Sequence, residues 1–197
     1  MNTSPDTIVL ASASPRRREL LTQIGVPHVV LAVDIDESAQ PGEAPSALAR
    51  RLAREKAVAG RMRDGGGRAA LGSDTIVVLD GEVYGKPRDA ADARRMLGAL
   101  SGRSHEVMSA VALALPGGGP VRDALSVTEV RMRALAPAEI DAYWASGEPE
   151  GKAGAYAIQG LGAVFIEHIR GSYSGVMGLP LYETASLLQA AGLRSER

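Results

Sequence analysis

The chain contains no cysteine, which excludes disulfides, thiolate metal sites and a thiol nucleophile, and fits a reducing cytoplasm. Aromatic residues make up only 4% of it, and 22 basic residues against 23 acidic ones leave a net charge of −1. With few aromatics and no extended basic stripe, nothing draws the molecule as a whole toward nucleic acid or an anionic membrane. No apolar run reaches membrane-spanning length, and the opening "MNTSPDT" has neither the basic nor the apolar region of a leader. These absences point to a cytoplasmic protein that must catch any anionic ligand locally.

What remains is an ordinary globular composition. Hydrophobic residues form 45% of 197 positions, enough to bury a core in one large domain or two small lobes. Residues 7–13 are apolar and β-branched at the start, as a strand should be. Ser14-Pro15 then matches an N-cap followed by proline at the first helical position, and "RRRELLTQIG" reads as a helix closed by Gly25. "VPHVVLAV" predicts a strand, "DIDESAQPGEAPS" an acidic loop, and "APSALARRLAREKAVAGRM" a helix with Leu48, Leu52, Ala53 and Ala57 on one stripe. "AALGSDTIVVLDGEVYGKP" carries two strand-like runs around Asp80-Gly81, a dipeptide suited to a tight hairpin. "RDAADARRMLGALSG" follows as a helix. "HEVMSAVALAL" and "ALSVTEVRMRAL" read as strands around "PGGGP", "APAEIDAYWASGEP" as a helix, "AVFIEHIRG" as a strand and "PLYETASLLQAAG" as a closing helix. Interleaved helices and several neighbouring hairpins predict a mixed α/β sheet.

Two features carry chemistry. The first is "SPRRREL", where three arginines start a helix. Cations are unfavourable at a helix N-terminus, whose free N–H groups attract anions, so Arg16 to Arg18 are either a solvated first turn or half of an anion pocket completed by Ser14. The second is Asp74, a carboxylate inside an apolar strand-like run, costly there unless it meets a cation, a metal or donors. A lone aspartate of this kind reads as a strand-edge residue bonded to its own backbone. Asp34, Asp36, Glu37, Lys56 and Lys86 argue otherwise, because carboxylates that hold Mg²⁺ beside cations that hold phosphate are what phosphoryl chemistry requires.

Other machinery is missing. "DGGGR" lacks the lysine and hydroxyl of a Walker A loop, no Gly-x-Ser-x-Gly elbow occurs, and His28, His105 and His168 have no metal-ligand spacing and read as half-buried strand ends. Water attack assisted by a carboxylate and a metal is the most economical chemistry left. In "GKAGAYAIQGLGAVF" the glycines would let the backbone approach a ligand closely, and Gln159 offers a donor and an acceptor for a base edge. A tight turn into a buried strand fits that segment equally well, and the same holds for "GSYSGVMGLPLYE" before the last helix.

Taken in order, "LASASPRRRELL", "DES" before "LAREKA", "GSDTIVVLDGEVYGKP", "MLGALSGRSHEV" and "GKAGAYAIQGLGAVFIEHIRGSYSGVMGLPL" resemble the Maf-like nucleotide pyrophosphatases over about residues 8–190. The resemblance implies a single domain over residues 1–197, a mixed central sheet flanked by helices, elongated, with two lobes around a central cleft, similar to inosine triphosphatases. It implies hydrolysis of a nucleoside triphosphate to monophosphate and pyrophosphate, a house-cleaning of nucleotide pools, with a divalent metal, Mg²⁺ first and Mn²⁺ or Co²⁺ as alternatives. It places the catalytic base at Asp74, metal binding at Glu37 and Asp74, and substrate binding at Ser12, Arg16, Arg17, Lys56, Thr75, Lys86 and Gln159. Arg16, Thr75 and Gln159 would choose the base. "SPRR", "DT" and "IQG" look like the branch acting on dTTP and UTP, whereas a 7-methyl-GTP pyrophosphatase would carry "SPWR", "DQ" and "EG". A nucleotide-binding regulator of cell division or septum formation is the alternative from another class. The expected partner is the nucleotide, not nucleic acid or membrane, and a homodimer would be unsurprising. There are three departures from the family pattern: Ser73 for alanine, "SAV" for "TGV" at 109–111, and Gly175 for a larger polar residue. None removes a charge, so the departures bear on the shape of the base pocket.

Overall fold

The β-branched and alanine-rich runs assemble into one seven-stranded sheet in a computed structural model that describes residues 7–193. The first six residues, part of the stretch read as lacking a leader, lie outside it. The strands are β1 (Ile8–Leu10), β2 (His28–Val30), β3 (Ala70–Leu79), β4 (Glu82–Tyr84), β5 (Ser104–Ala114), β6 (Arg122–Met132) and β7 (Ile166–Arg170). Their order is β2-β1-β3-β5-β6-β7, with β4 paired to β3. β1 runs parallel to β2 and β3, and the remaining pairs are antiparallel, the mixed α/β architecture expected. The helices are α1 (Pro15–Gln23), α2 (Pro45–Arg63), α3 (Ala90–Leu100), α4 (Pro137–Ala145), α5 (Tyr173–Met177) and α6 (Leu181–Ala190). Among the described residues no helix is long and apolar enough to cross a membrane.

Several boundaries differ from the sequence expectation for local reasons. β1 stops at Leu10 because the Ser12 N–H turns back onto the Leu10 carbonyl. β2 is three residues, not eight. β7 begins at Ile166 because residues Leu161–Phe165 form a 3₁₀ turn. The glycine-rich run before α6 contains α5, capped by the Ser172 hydroxyl, which accepts from the Gly175 N–H, and ended by Gly178 at φ 119°. The tight turn at Asp80-Gly81 is as expected, both residues having positive φ.

Successive side chains of a strand point to opposite faces, and this alternation organises the core. Even-numbered residues of β3 and β5 (Ile76, Val78, Ala110, Ala112, Ala114) pack with Ala49, Ala53 and Ala57 of α2. The approach is close: a Cβ at Gly72 would lie 2.3 Å from the Ala53 carbonyl and 2.4 Å from the Ala57 nitrogen. On the opposite face Leu71, Val111 and Leu113 pack with Leu20 and Leu21 of α1 and Leu188 of α6. At the far end of that same face Val77, Leu79 and Val107 meet Met96, Leu97 and Leu100 of α3 and Ile140 and Tyr143 of α4. Between these two apolar clusters the face is interrupted by hydroxyls, Ser73 and Thr75 on β3 and Ser109 on β5.

The histidines are not uniformly half-buried. His28 is partly buried and His168 exposed, whereas His105 is 3% exposed inside β5. Its Nε2 lies 2.7 Å from the Tyr156 hydroxyl, and burial pushes the imidazole down to about 4. The unfolded ring takes a proton below about 6.5, the folded one only near 4, so stability should fall as pH falls through that window. The total is up to roughly 3 kcal/mol, and denaturant titrations across pH should show the slope flattened in His105→Gln. Two glycine variants test the packing. Gly72→Ala should cost about 1–3 kcal/mol or more, because the α2 backbone must move. Gly98→Ala, in α3 with open space beside it, should stabilise by about 0.5–1 kcal/mol, both read as shifts in unfolding midpoint.

Candidate active site

A cleft of about 1010 Å³ opens where the hydroxyl interruption of the sheet meets α1, α2 and the loop before it. Asp74, an even-numbered residue of β3, projects toward α2, where Lys56 stands on the buried stripe. The Lys56 ammonium donates to Asp74 Oδ1 at 2.6 Å and lies 2.6 Å from Glu37 Oε1. Lys86 Nζ completes the row, 3.4 Å from Glu37 Oε2. The Lys56 and Asp74 side chains are 10% and 9% exposed, while that of Glu37 is 45% exposed. Burial pushes the Glu37 carboxyl up, but the Lys56 and Lys86 ammoniums outweigh it and hold it below its ordinary range. The two carboxylates thus meet around one shared cation.

On the other side of β3, Arg17 reaches in from α1. Its Nε donates to the Gly178 carbonyl at 2.8 Å, Nη1 to Ser12 Oγ at 3.2 Å and Nη2 to Thr75 Oγ1 at 3.4 Å. These acceptors are neutral, so they orient the guanidinium without cancelling its charge. Burial lowers the Arg17 pKa against the pull of Asp74 and Glu37, and an arginine remains charged even so. Arg16 also lines the cleft, with its Nε buried and lacking a hydrogen-bond partner among the described residues. Burial lowers its pKa too, opposed chiefly by Glu148. Ser14 occupies the N-cap of α1, but its side chain makes no capping bond, which leaves that helix end open toward the cleft. Arg18 is exposed.

Most of the residues singled out in the sequence come together. Ser12, Arg16, Arg17, Glu37, Lys56, Asp74, Thr75 and Lys86 all line the cleft. Gln159 does not: it is exposed, in the turn that precedes Leu161–Phe165. Asp34 lines the cleft, while Asp36 is exposed and accepts from the Ser38 N–H. The glycines of "IQGLG" face the protein's own side chains. A Cβ at Gly160 would fall 2.0 Å from Glu148 Oε2, and one at Gly162 would fall 2.6 Å from the Tyr143 hydroxyl.

Sequence reasoning missed Lys152 and Gly178. Lys152 lines the cleft, and burial, followed by the nearby Arg16, lowers its pKa; its only signal was a place in the quoted "GKAGAY". The Gly178 carbonyl accepts from Arg17 Nε and from the Ser73 hydroxyl, a role with no side-chain signal. The three departures from the family pattern also meet here. Ser73 donates to Gly178, Ser109 donates to the Gly175 carbonyl at 2.6 Å, and the Thr75 and Ser109 hydroxyls share a bond of 2.8 Å. Together they tie α5 to the sheet beneath Arg17.

The carboxylates suit a hard cation. Asp74 Oδ1 and Glu37 Oε1 both meet the Lys56 ammonium, and among the described residues no group of three or more His, Cys, Asp or Glu could hold a metal by itself. A divalent cation there would be shared between one or two carboxylates and a ligand's phosphates. The burial contrast predicts a stability contrast. Lys56→Met should cost about 3–5 kcal/mol because it strands Asp74 without its cation, whereas Lys86→Ala, whose side chain is 62% exposed, should cost under about 1 kcal/mol. Urea unfolding of both variants beside the unaltered chain reads the difference.

The family model described as "Maf-like protein" matches residues 7–191. A protein of Bordetella parapertussis named dTTP/UTP pyrophosphatase is 56% identical over 197 residues, covering 96% of this chain and 94% of its own length. One of the same name from Methylococcus capsulatus is 54% identical over 190 residues, covering 96% and 93%. Among solved structures, a nucleoside-triphosphatase / dITP/XTP pyrophosphatase from Mycobacterium abscessus overlaps 64% of this chain and 72% of its own, with 21% identity and a TM-score of 0.42. Matched along nearly all its described length, and sharing more than half its aligned positions with those two relatives, the chain belongs to the family of Maf-like proteins.

Proposed function

We propose that this protein hydrolyses dTTP and UTP to the monophosphate and pyrophosphate by attack of water on the α-phosphorus. The observation that carries the reading is the buried Lys56 ammonium shared by Asp74 and Glu37, beside an arginine oriented only by neutral groups. Such a site holds carboxylates for a metal or a water and keeps positive charge ready for phosphate oxygens. The relatives named dTTP/UTP pyrophosphatase support the substrate class.

Arg17 binds the triphosphate, helped by Ser12 and the open end of α1. Lys56 and Lys86 neutralise charge that builds on the leaving pyrophosphate. Asp74 orients the attacking water and takes its proton; the water oxygen bonds to the α-phosphorus as the bond to the bridging oxygen breaks. Glu37 and Asp74 are the residues that would hold a divalent cation, Mg²⁺ or alternatively Mn²⁺ or Co²⁺. When bound, such an ion supplies further charge neutralisation at the phosphates. Arg16 and Thr75 face the cleft where the base must be chosen, and Gln159 would join them only if its turn moves inward on binding.

A product assay with Mg²⁺ across dTTP, UTP, CTP, GTP, ATP and 7-methyl-GTP tests the reading. Pyrophosphate and monophosphate should appear from dTTP and UTP, and Asp74→Asn should lower kcat by roughly 10²–10⁴-fold. Orthophosphate as the product would overturn attack at the α-phosphorus. Turnover of 7-methyl-GTP in place of dTTP would move the protein to the other branch, and tight binding without turnover to a regulatory role.

A further inference from the structure

The hydroxyls beneath Arg17 form a chain with a direction. Thr75 on β3 and Ser109 on β5 stand directly opposite each other in the antiparallel pair, so their side chains share a face, and their oxygens lie 2.8 Å apart. Thr75 and Arg17 line the cleft, whereas Ser109 does not line it and is fully buried. Ser109 Oγ is 2.6 Å from the Gly175 carbonyl. A carbonyl can only accept, so the single proton of the Ser109 hydroxyl is spent there. The proton between the two hydroxyls therefore belongs to Thr75. With that proton committed, Thr75 turns only a lone pair toward Arg17, which suits Nη2, a donor without lone pairs, 3.4 Å away.

Ser109 reaches Arg17 by a second route. The Gly175 carbonyl that takes its proton also accepts from the Gly178 N–H at 2.9 Å, and the Gly178 carbonyl accepts from Arg17 Nε at 2.8 Å. One buried hydroxyl thus stands behind two of the three acceptors that aim the guanidinium, the third being Ser12. Thr75 Oγ1 also lies 3.4 Å from the Gly178 carbonyl. Were the Ser109 oxygen removed, the Thr75 proton would turn to that carbonyl and compete there with Arg17 Nε.

We propose that Ser109 is a positioning residue for the anion-binding arginine: it fixes the direction of the Thr75 hydroxyl and the place of the Gly178 carbonyl, so that both accept from Arg17. This rests on the reading of Arg17 as the group that binds the triphosphate. Alanine at 109 deletes the hydroxyl and keeps the strand. Threonine, the residue of the family pattern at this place, keeps the hydroxyl. Cysteine keeps a donor, but a weak one.

The test measures equilibrium binding of inorganic triphosphate without metal, and KM and kcat for dTTP with Mg²⁺, in the unaltered chain, Ser109→Ala and Ser109→Thr. Thermal unfolding accompanies each. Ser109→Ala should weaken triphosphate binding by about five- to tenfold and raise KM for dTTP by a similar factor, with kcat changed by less than about twofold. Ser109→Thr should restore both to within about twofold of the unaltered chain. Made in an Arg17→Ala chain, Ser109→Ala should change triphosphate binding by less than about twofold, because its effect passes through the arginine. Unchanged binding in Ser109→Ala, an equal loss when Arg17 is absent, or a folded Ser109→Thr that restores nothing would overturn the proposal. If Ser109→Ala does not fold, Ser109→Cys takes its place with the same weakening expected; binding like that of the unaltered chain, or failure of this variant to fold as well, overturns the proposal. Triphosphate binding without pyrophosphate release from dTTP would sink the catalytic reading while the binding arm still decides this one, and an unaltered chain that binds no triphosphate would overturn both.

Discussion

The arrangement depends on one ammonium group. Lys56 lies in the seam where α2 meets β3, and two carboxylates from different parts of the chain converge on it at 2.6 Å each. A charge so placed is costly without partners, and Asp74 would be equally costly without Lys56. Each therefore makes the other tolerable, and the loop bearing Glu37 is drawn to the pair. The seam is narrow because α2 presents alanines and β3 a glycine at the crossing, with room for nothing larger at residue 72. Close packing of small residues thus sets the distance over which the lysine reaches the aspartate.

The opposite face of the sheet solves a different problem. Apolar clusters at its two ends are separated by Ser73, Thr75 and Ser109, whose hydroxyls find acceptors in α5 and the carbonyl of Gly178. A buried hydroxyl without a partner would cost free energy; Ser73 also reaches the Ala110 carbonyl and Thr75 bonds Ser109, and α5 supplies the Gly175 carbonyl for Ser109. Docking brings the Gly178 carbonyl to Arg17 Nε. The arginine is aimed by dipoles, not by a carboxylate, and so keeps its charge available for a ligand. The two faces of β3 divide the labour: one holds the carboxylates, the other aims the cation.

Sequence reasoning recovered the sheet class and most cleft residues because the signals were local conflicts: arginines at a helix start, an aspartate inside an apolar strand. Such conflicts mark places where something beyond packing has been accommodated. It erred where the decisive group came from afar. The 3₁₀ turn at Leu161–Phe165 looked like the start of a strand, since Ala163 to Phe165 are apolar; contacts from Glu148, 13 and 14 residues earlier, close the turn instead. The glycines of "IQGLG" allowed either ligand contact or a tight turn, and it is the turn that they form, making room for the protein's own carboxylate and phenol. His105 looked half-buried because a histidine in a strand carries no mark of how deep that strand lies.

The amino-acid sequence by itself determined the alternation of strands and helices, the hairpins at Asp80-Gly81 and after β5, and the set of charged residues able to serve phosphate chemistry. These follow from periodicity, turn chemistry and the cost of burying charge, all of which act over a few residues. Only the tertiary structure decided which lysine is shared by which carboxylates, that a backbone carbonyl at Gly178 orients Arg17, and that Gln159 sits outside the cleft with its turn held by Glu148 and Tyr143. Those outcomes depend on distances between segments far apart in the chain, and the packing of side chains across the sheet is what sets them.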